Sequence, residues 1–301
     1  MLLAVTILGN NSAIPAHGRH PTAQVITTTD ELLLFDCGEG TQIQILNYRI
    51  KRSRINHIFI SHLHGDHYFG LIGLLNSFAL LSRIQPLHIY GPAALKEILD
   101  LQFKHSDTRL PFELTFHPIE KDGLILDAKH YTVECFSTRH RIECKGFLVR
   151  EKKNLRKILA EEVRKYNIPP SFFPQLQKGE DFTDANGVVI KNERLTTENR
   201  KPKSYAFAAD TVYDVRLAEI VREVDLLYHE ATYPDALSEK ATERYHSTTK
   251  QAASIALQGS VNRLLIGHFS AKFENLEPFV TEAREVFTNT DLAQEGVTYL
   301  L

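Results

Sequence analysis

Three histidines and an aspartate occupy six consecutive positions within the stretch ISHLHGDHYFGLIGLL, residues 60–75. They are His62, His64, Asp66 and His67. In proteins, zinc is bound by neutral imidazole nitrogens and by carboxylate oxygens. Four such groups so close together in a chain cannot all reach one ion, so we expect His62 and His64 to face one ion and Asp66 and His67 a second. The pattern H-x-H-x-D-H therefore predicts a pair of metal ions.

Three further candidate ligands lie at the ends of short apolar runs. His140 follows YTVECFSTR, Asp210 ends SYAFAAD, and His268 ends LLIGH. Ligands that loops deliver from a rigid scaffold have this appearance. Taken singly, each has a structural explanation, because a histidine at a strand end is often only solvated and Asp210 could cap the next helix. Together with the complete motif, they favour a catalytic site in which a bridging carboxylate and a water molecule accompany the metals.

The runs that carry these residues predict an α/β protein. Short apolar runs bounded by Gly, Asp and Asn alternate with helical segments on both sides of residue 150, which is typical of buried strands and their connections. The segment GLIGLLNSFALLS is apolar almost all round and predicts a buried helix. Two β-rich halves with helices outside predict a four-layer αββα sandwich within a single domain, residues 1–301.

A polar segment, residues 151–203, interrupts this alternation and predicts an insertion. We expect too few apolar residues for a core of its own. One amphipathic helix is predicted there by four apolar residues at roughly helical spacing, Leu155, Ile158, Leu159 and Val163. Residues 150–203 contain 13 Lys and Arg against 8 Asp and Glu, a net charge of +5 in a chain whose total is −2. This asymmetry indicates either a local electrostatic footprint for a polyanion or simply a solvated helix with loops.

Other features of the composition indicate the class of protein and its cellular compartment. The 301 residues are 43% hydrophobic and 24% charged, which is ordinary for a globular protein. Cys37, Cys135 and Cys144 form no C-x-x-C pair and suit a reducing cytoplasm. The opening MLLAVTILGN lacks a basic leader, so we interpret it as a first strand, and no apolar stretch approaches the roughly 20 residues of a membrane span.

The motif and its separated partners resemble the metallo-β-lactamase superfamily, and more narrowly the short form of the ribonuclease Z family of tRNA 3′-processing endoribonucleases. The similarity runs nearly end to end. ILGNNSAIP, LLLFDCGEGTQIQIL and AADT resemble family blocks around the metal motif. The assignment to tRNA processing depends on the segments YHEAT and HST. The superfamily motif alone indicates metal binding strongly but says little about the substrate.

This resemblance implies roles for individual residues. One zinc ion would be held by His62, His64 and His140, and the other by Asp66, His67 and His268, with Asp210 as the bridge. Asp66 would also be the general base toward the attacking water. His246 in YHST would be a second catalytic histidine assisted by Glu230 in HEAT, although a buried structural salt bridge remains the alternative for Glu230. A histidine with a carboxylate partner is suited to protonate a leaving alkoxide.

The resemblance further implies an endoribonuclease that cuts precursor tRNA 3′ of the discriminator nucleotide and carries two zinc ions per subunit. Residues 151–203 would be a protruding arm that holds the tRNA body, and a homodimer would let one subunit's arm grip the tRNA that the other cleaves. The candidate phosphate contacts of this arm are Lys152, Lys153, Arg156 and Lys157. The alternatives are a small-molecule zinc hydrolase, such as a cyclic phosphodiesterase or an arylsulfatase, and a non-catalytic RNA-binding module.

Overall fold

The structure is a computed structural model that describes residues 3–301. Its first half contains β1 (Ala4–Gly9), β2 (Asn11–Ser12), β3 (Ala23–Thr27), β4 (Leu32–Phe35), α1 (Thr41–Asn47), a 3₁₀ turn (Arg52–Arg54), β5 (Ile55–Phe59), α2 (Gly65–Tyr68), α3 (Leu71–Leu80), β6 (Leu87–Gly91), α4 (Ala94–His105), β7 (Leu114–Pro118), β8 (Gly123–Asp127), β9 (Tyr131–Thr138) and β10 (Cys144–Glu151). The middle segment contains β11 (Lys157–Ile158), α5 (Ala160–Lys165), a 3₁₀ turn (Pro170–Phe172), α6 (Phe173–Lys178), β12 (Phe182–Thr183), β13 (Val189–Ile190), α7 (Asn192–Leu195) and β14 (Thr196–Thr197). The last third contains β15 (Ser204–Ala208), α8 (Arg216–Ile220), β16 (Leu226–Glu230), a 3₁₀ turn (Asp235–Leu237), α9 (Ser238–Glu243), α10 (Thr249–Gln258), β17 (Leu264–Gly267), β18 (Phe269–Ser270), α11 (Glu277–Arg284), β19 (Thr290–Leu292) and β20 (Thr298–Leu300).

The first large sheet has the strand order β20-β1-β3-β4-β5-β6-β7. It is mixed, since β1, β3 and β4 pair antiparallel while β4, β5, β6 and β7 pair parallel. Its strands β1 and β4 are buried along their whole length, because successive side chains point to opposite sides and both sides are covered there. On β5, Phe59 belongs to the core between the sheets, whereas its neighbour Ile58 packs with α1, α3 and α4 on the outside.

The second large sheet has the order β19-β17-β16-β15-β10-β9-β8 and is also mixed. Here Phe147 and Phe207 point into the shared core, while Leu148 and Ala206 pack outward with α8, α10 and α11. Two sheets that share one core and carry helices on their outer faces form the four-layer αββα sandwich that the sequence predicts. The prediction of a fully buried α3 is wrong at its end, where Leu80 is 85% exposed.

The segment Glu151–Pro202 forms a compact unit by itself. It contains a two-residue antiparallel ladder of β11 with β14 and a short hairpin of β12 with β13. It also has an apolar cluster of five buried side chains, Val163, Ile168, Leu176, Ile190 and Leu195. This segment therefore has more of a core than its composition indicates. The predicted amphipathic helix is wrong in its first half. Ile158 lies in β11, where it pairs with Thr196 of β14, and the helix begins only at Ala160.

Candidate metal centre

The candidate ligands lie in loops that follow strands of both sheets. The H-x-H-x-D-H stretch begins three residues after Phe59, the last residue of β5, and α2 carries Asp66 and His67. In the second sheet, His140 follows β9, Asp210 follows β15 and His268 follows β17. The two sheets thus bring together every metal ligand that the sequence predicts, in two adjacent clusters. A third group, Asp210, His246 and His268, overlaps with both.

The first cluster consists of three imidazoles and one carboxylate oxygen. His64 Nδ1 lies 3.1 Å from His62 Nε2 and 3.0 Å from His140 Nε2. Oδ2 of Asp210 lies 3.6 Å from His62 Nε2 and 3.7 Å from His140 Nε2. Three nitrogens and one oxygen therefore converge on one small volume.

The second cluster uses the other oxygen of the same aspartate. Oδ1 of Asp210 lies 3.3 Å from His67 Nε2 and 3.2 Å from His268 Nε2, and these two nitrogens are 3.3 Å apart. Oδ2 of Asp66 completes the group at 3.6 Å from His67 Nε2 and 3.4 Å from His268 Nε2. Asp210 therefore faces both clusters, one oxygen to each.

These groups fit a pair of divalent cations. Four ligands placed tetrahedrally at bond lengths of about 2.0–2.2 Å are separated from each other by about 3.3–3.6 Å, close to the separations in both clusters. Oδ1 of Asp210 is buried and has no hydrogen-bond partner among the described residues, which is costly for a carboxylate oxygen unless a cation satisfies it. The His and Asp clusters are consistent with a binuclear metal site.

The charge states of His62 and Asp210 also suit metal binding. Burial holds the pKa of His62 well below its usual value, so this imidazole is neutral, which is the form that ligates metals. Burial alone would raise the pKa of the Asp210 carboxyl, but the imidazoles of His268 and His67 hold it well below its usual range. Asp210 is therefore a carboxylate although it is buried. Burial alone would lower the pKa of His67, but the carboxylates of Asp210, Asp66 and Asp36 raise it well above its usual value, so this imidazole would release a proton on binding a cation.

A residue to which the sequence assigns no role, Asp36, orients part of the site. Its buried carboxylate lies 2.7 Å from His67 Nδ1 and accepts hydrogen bonds from the backbone N–H (2.7 Å) and the hydroxyl (2.8 Å) of Ser61. The Ser61 hydroxyl, having donated its hydrogen, accepts from His62 Nδ1 at 3.0 Å. Both imidazoles are thereby held with Nε2 turned toward the clusters, as carboxylate–histidine pairs do in metal sites. Asp36 directly follows the apolar run LLLF, and other candidate ligands also lie at the ends of apolar runs. The sequence therefore carried a signal for Asp36.

Two more imidazoles are held in the same way. His140 Nδ1 donates to the carbonyl oxygen of Tyr245 at 2.9 Å. His268 Nδ1 lies 2.9 Å from the Thr232 hydroxyl, which itself donates to Glu230 and therefore accepts from the imidazole. In each case the proton is on Nδ1, so the Nε2 lone pair is free to face a cation.

Glu230 and His246 form a pair beside the clusters. His246 lies two residues before Thr248, the N-cap of α10, whose start is fixed by a capping box, and its Nδ1 lies 2.9 Å from Glu230 Oε1. Glu230 is buried and also accepts backbone hydrogen bonds from Thr211, Thr232 and Ser247. Burial alone would raise the pKa of the Glu230 carboxyl, but His246 lowers it. In turn, although burial opposes it, the Glu230 carboxylate raises the pKa of His246 to about 9. The pair therefore holds a proton close to both clusters.

One cavity joins these groups. It has a volume of about 870 Å³. Its lining includes His64, Asp66, His140, Asp210, His246 and His268. A substrate in this cavity would contact both clusters and the proton of His246 together.

The four basic residues proposed for RNA contact lie in the Glu151–Pro202 unit. Lys153 and Lys157 are exposed there. Arg156 is turned into its own unit, where Nε donates to the Thr196 hydroxyl at 2.7 Å and Nη1 lies 3.6 Å from Glu198. Lys152 is half-buried. Across residues 3–301, the structure has no helix with the length and apolar character to span a membrane.

Comparison with known proteins agrees with this geometry. A family model described as "Anti-Pycsar protein Apyc1" matches residues 3–155. That match contains the H-x-H-x-D-H stretch but ends before Asp210, Glu230, His246 and His268. The ribonuclease Z of Bacteroides fragilis strain YCH46 is 41% identical over 293 residues, covering 97% of this chain and 96% of that protein.

Solved structures give the same result. The short form of human tRNase Z superposes with a TM-score of 0.72 at 30% identity, covering 98% of both chains. The metallo-β-lactamase fold protein YhfI of Bacillus subtilis superposes with a TM-score of 0.71 at 19% identity over the full length of both chains, which shows a common fold. Because the similarity to ribonuclease Z extends over 97% of this chain and 96% of the bacterial relative, the chain belongs to the ribonuclease Z family of the metallo-β-lactamase superfamily.

Proposed function

We propose that this protein is a zinc-dependent endoribonuclease that removes 3′ trailers from tRNA precursors and leaves a tRNA 3′-hydroxyl and a 5′-phosphorylated trailer. The observation that carries the proposal is the Glu230–His246 pair, with Nδ1 and Oε1 2.9 Å apart, beside two ligand clusters that share Asp210. A phosphodiester substrate needs both elements, since one activates water and the other supplies a proton to the leaving oxygen.

Two zinc ions per subunit would be bound by these clusters. His62, His64 and His140 would hold one ion, Asp66, His67 and His268 the other, and Asp210 would bridge them. When bound, such a pair supplies Lewis acidity that brings the pKa of water close to neutrality. Imidazole and carboxylate ligands in near-tetrahedral groups support zinc.

Side chains of the protein would accept and donate the protons of the reaction. Asp66 lines the cavity, with Oδ2 3.4 Å from His268 Nε2, and its carboxylate would accept the proton of the attacking water. His246, held by Glu230, would donate its proton to the 3′-oxygen of the tRNA part as the bond to phosphorus breaks. The leaving group would then depart as a neutral hydroxyl, which removes the cost of releasing an alkoxide.

Residues 151–203 would serve as an arm that holds the tRNA body. Its charge supports this role, since residues 150–203 carry a net charge of +5 in a chain of net charge −2. Among the candidate contacts, the exposed Lys153 and Lys157 are better placed to meet phosphates than Arg156, which bonds within its unit. Deleting residues 151–203 should cripple tRNA cleavage but spare a small aryl phosphodiester, whereas an equal loss on both substrates would assign the segment to the fold.

A homodimer in the cytoplasm completes the proposal. Large apolar side chains are exposed on two neighbouring helices, Ile43 and Leu46 on α1 and Leu80 at the end of α3. The helices touch where the Ser77 hydroxyl donates to Gln42 at 2.9 Å. A contiguous apolar patch of several such side chains marks a protein–protein interface. Sedimentation equilibrium tests the dimer, and a monomer at micromolar concentration would contradict it. Three buried, unpaired cysteines suit a reducing compartment.

The decisive experiment uses one precursor tRNA with a 3′ trailer and an aryl phosphodiester as the small substrate. We expect a single cut 3′ of the discriminator nucleotide, which sequencing of both product ends would locate. Rapid hydrolysis of the aryl ester with no cut in the precursor would instead assign the protein to the small-molecule phosphodiesterases. Binding without cleavage of either substrate would identify an RNA-binding module.

A further inference from the structure

Three cations in and beside the cavity make no ion pair in the part of the chain that the structure describes. Lys240 lies on α9, Arg244 follows that helix directly, and Lys272 follows β18. Arg244 and Lys272 line the same cavity as both clusters. By contrast, Lys250 on the adjacent α10 pairs with Glu285 at 2.9 Å.

These cations are close to one another. The Lys272 ammonium, more than any other group, lowers the pKa of Lys240, and the Arg244 guanidinium lowers it further. Glu243 is a carboxylate that lines the same cavity and acts in the opposite direction, but more weakly. Like charges that converge beside a cavity repel each other, and an anion bound between them would relieve this repulsion.

The cations also lie on a definite side of the site. Lys240 Nζ lies 5.4 Å from the ring centroid of Tyr233, and that ring lies 6.3 Å from the ring of His246. Arg244 is two residues before His246 in the chain. Lys240 and Arg244 therefore lie on the side of the site that carries the proton donor, and Lys272 lines the same cavity. Under the proposed function, the 3′-oxygen that takes this proton belongs to the tRNA part of the substrate, whereas the phosphate stays with the trailer.

We propose that Lys240, Arg244 and Lys272 bind the phosphates of the last nucleotides of the tRNA part, on the leaving-group side of the scissile bond, and not those of the trailer. This inference rests on the proposed function and adds a binding site for one particular side of the substrate. A cation cluster of this kind favours phosphates without reading bases. The cluster would therefore position the 3′ end of any tRNA in the cavity.

The test compares both products as competitive inhibitors of precursor cleavage. The variant is the double substitution Lys240→Gln and Lys272→Gln, and the matched control is Lys96→Gln, a surface lysine of α4 that pairs with Asp100. The inhibitors are a tRNA that ends at its discriminator nucleotide and a 5′-phosphorylated trailer oligonucleotide. Loss of two single-strand phosphate contacts should lower the slope of log affinity against log salt by about 1.4 and weaken tRNA inhibition about tenfold at 0.15 M salt.

The expected result is a weaker inhibition by tRNA in the double variant only, with the trailer's inhibition constant the same in all three proteins. Circular dichroism would verify that the variants are folded. Weaker inhibition by the trailer, or equal tRNA inhibition in the variant and the control, would overturn this inference while leaving precursor cleavage intact. Absence of precursor cleavage by the unsubstituted protein would overturn the proposed function, and the inference with it.

Discussion

Asp36→Asn tests whether the carboxylate behind His67 tunes metal affinity. The carboxylate accepts three short hydrogen bonds, from His67 Nδ1 at 2.7 Å and from the Ser61 N–H and hydroxyl at 2.7 and 2.8 Å. Asparagine keeps the shape but offers one acceptor oxygen and turns an NH₂ group toward a donor. Loss of such a partner typically costs about 10- to 100-fold in metal affinity, which corresponds to about 1.4–2.7 kcal/mol.

The assay is a zinc titration against a competing chelator, with the free energy of unfolding measured in parallel. Glu31→Gln is a matched control, because Glu31 is a largely buried carboxylate that accepts from Tyr131 (2.7 Å) and Asn56 (3.0 Å) and belongs to neither ligand cluster. We expect weaker zinc binding in Asp36→Asn alone. If both folded variants bound zinc within twofold of the unsubstituted protein, the orienting role of Asp36 would be refuted.

Three further substitutions, and the control Glu31→Gln itself, give distinct outcomes. Asp66→Ala should nearly abolish cleavage while tRNA binding, measured by filter retention, stays within a few-fold; an equal collapse of binding would make Asp66 structural. His246→Ala should slow turnover with full metal content by elemental analysis, and lost metal would contradict a proton-transfer role. Leu176→Ala, in the core of the Glu151–Pro202 unit, should cost that unit about 2–5 kcal/mol and lower precursor cleavage but not aryl ester hydrolysis. Although burial alone would raise it, hydrogen bonds from His57 and Tyr131 lower the pKa of Glu31 to about 2, so the stability that Glu31→Gln removes should be present above about pH 4.5 and vanish toward pH 2 in acid unfolding curves.

Local sequence signals were sufficient for the sheets and for the candidate ligands. His140, Asp210 and His268 each follow an apolar run, and the ends of such runs are where a sandwich presents its loops. The periodicity of the buried strands is a short-range property, so it can be recognised without knowledge of tertiary contacts.

Local sequence signals could not predict the hydrogen-bond, charge and strand-pairing partners that only the tertiary structure brings together. The carbonyl of Tyr245 that orients His140 carries no side-chain signature, and the approach of Lys240 to Lys272 joins residues 32 positions apart. Ile158 has helical spacing to Leu155 but pairs with Thr196 in a two-residue ladder, because the small core of its unit decides the conformation. Propensity alone gives no access to such pairings.

The ligand sets draw on both layers of the sandwich, since the H-x-H-x-D-H loop extends from the first sheet and His140, Asp210 and His268 extend from the second. An ion bound by these side chains would therefore also link the two sheets. Because an ion that binds only the folded protein stabilises it, substitution of any one ligand would lower the free energy of unfolding as well as the rate of the reaction. Selection on catalysis and selection on folding would then act on the same seven positions.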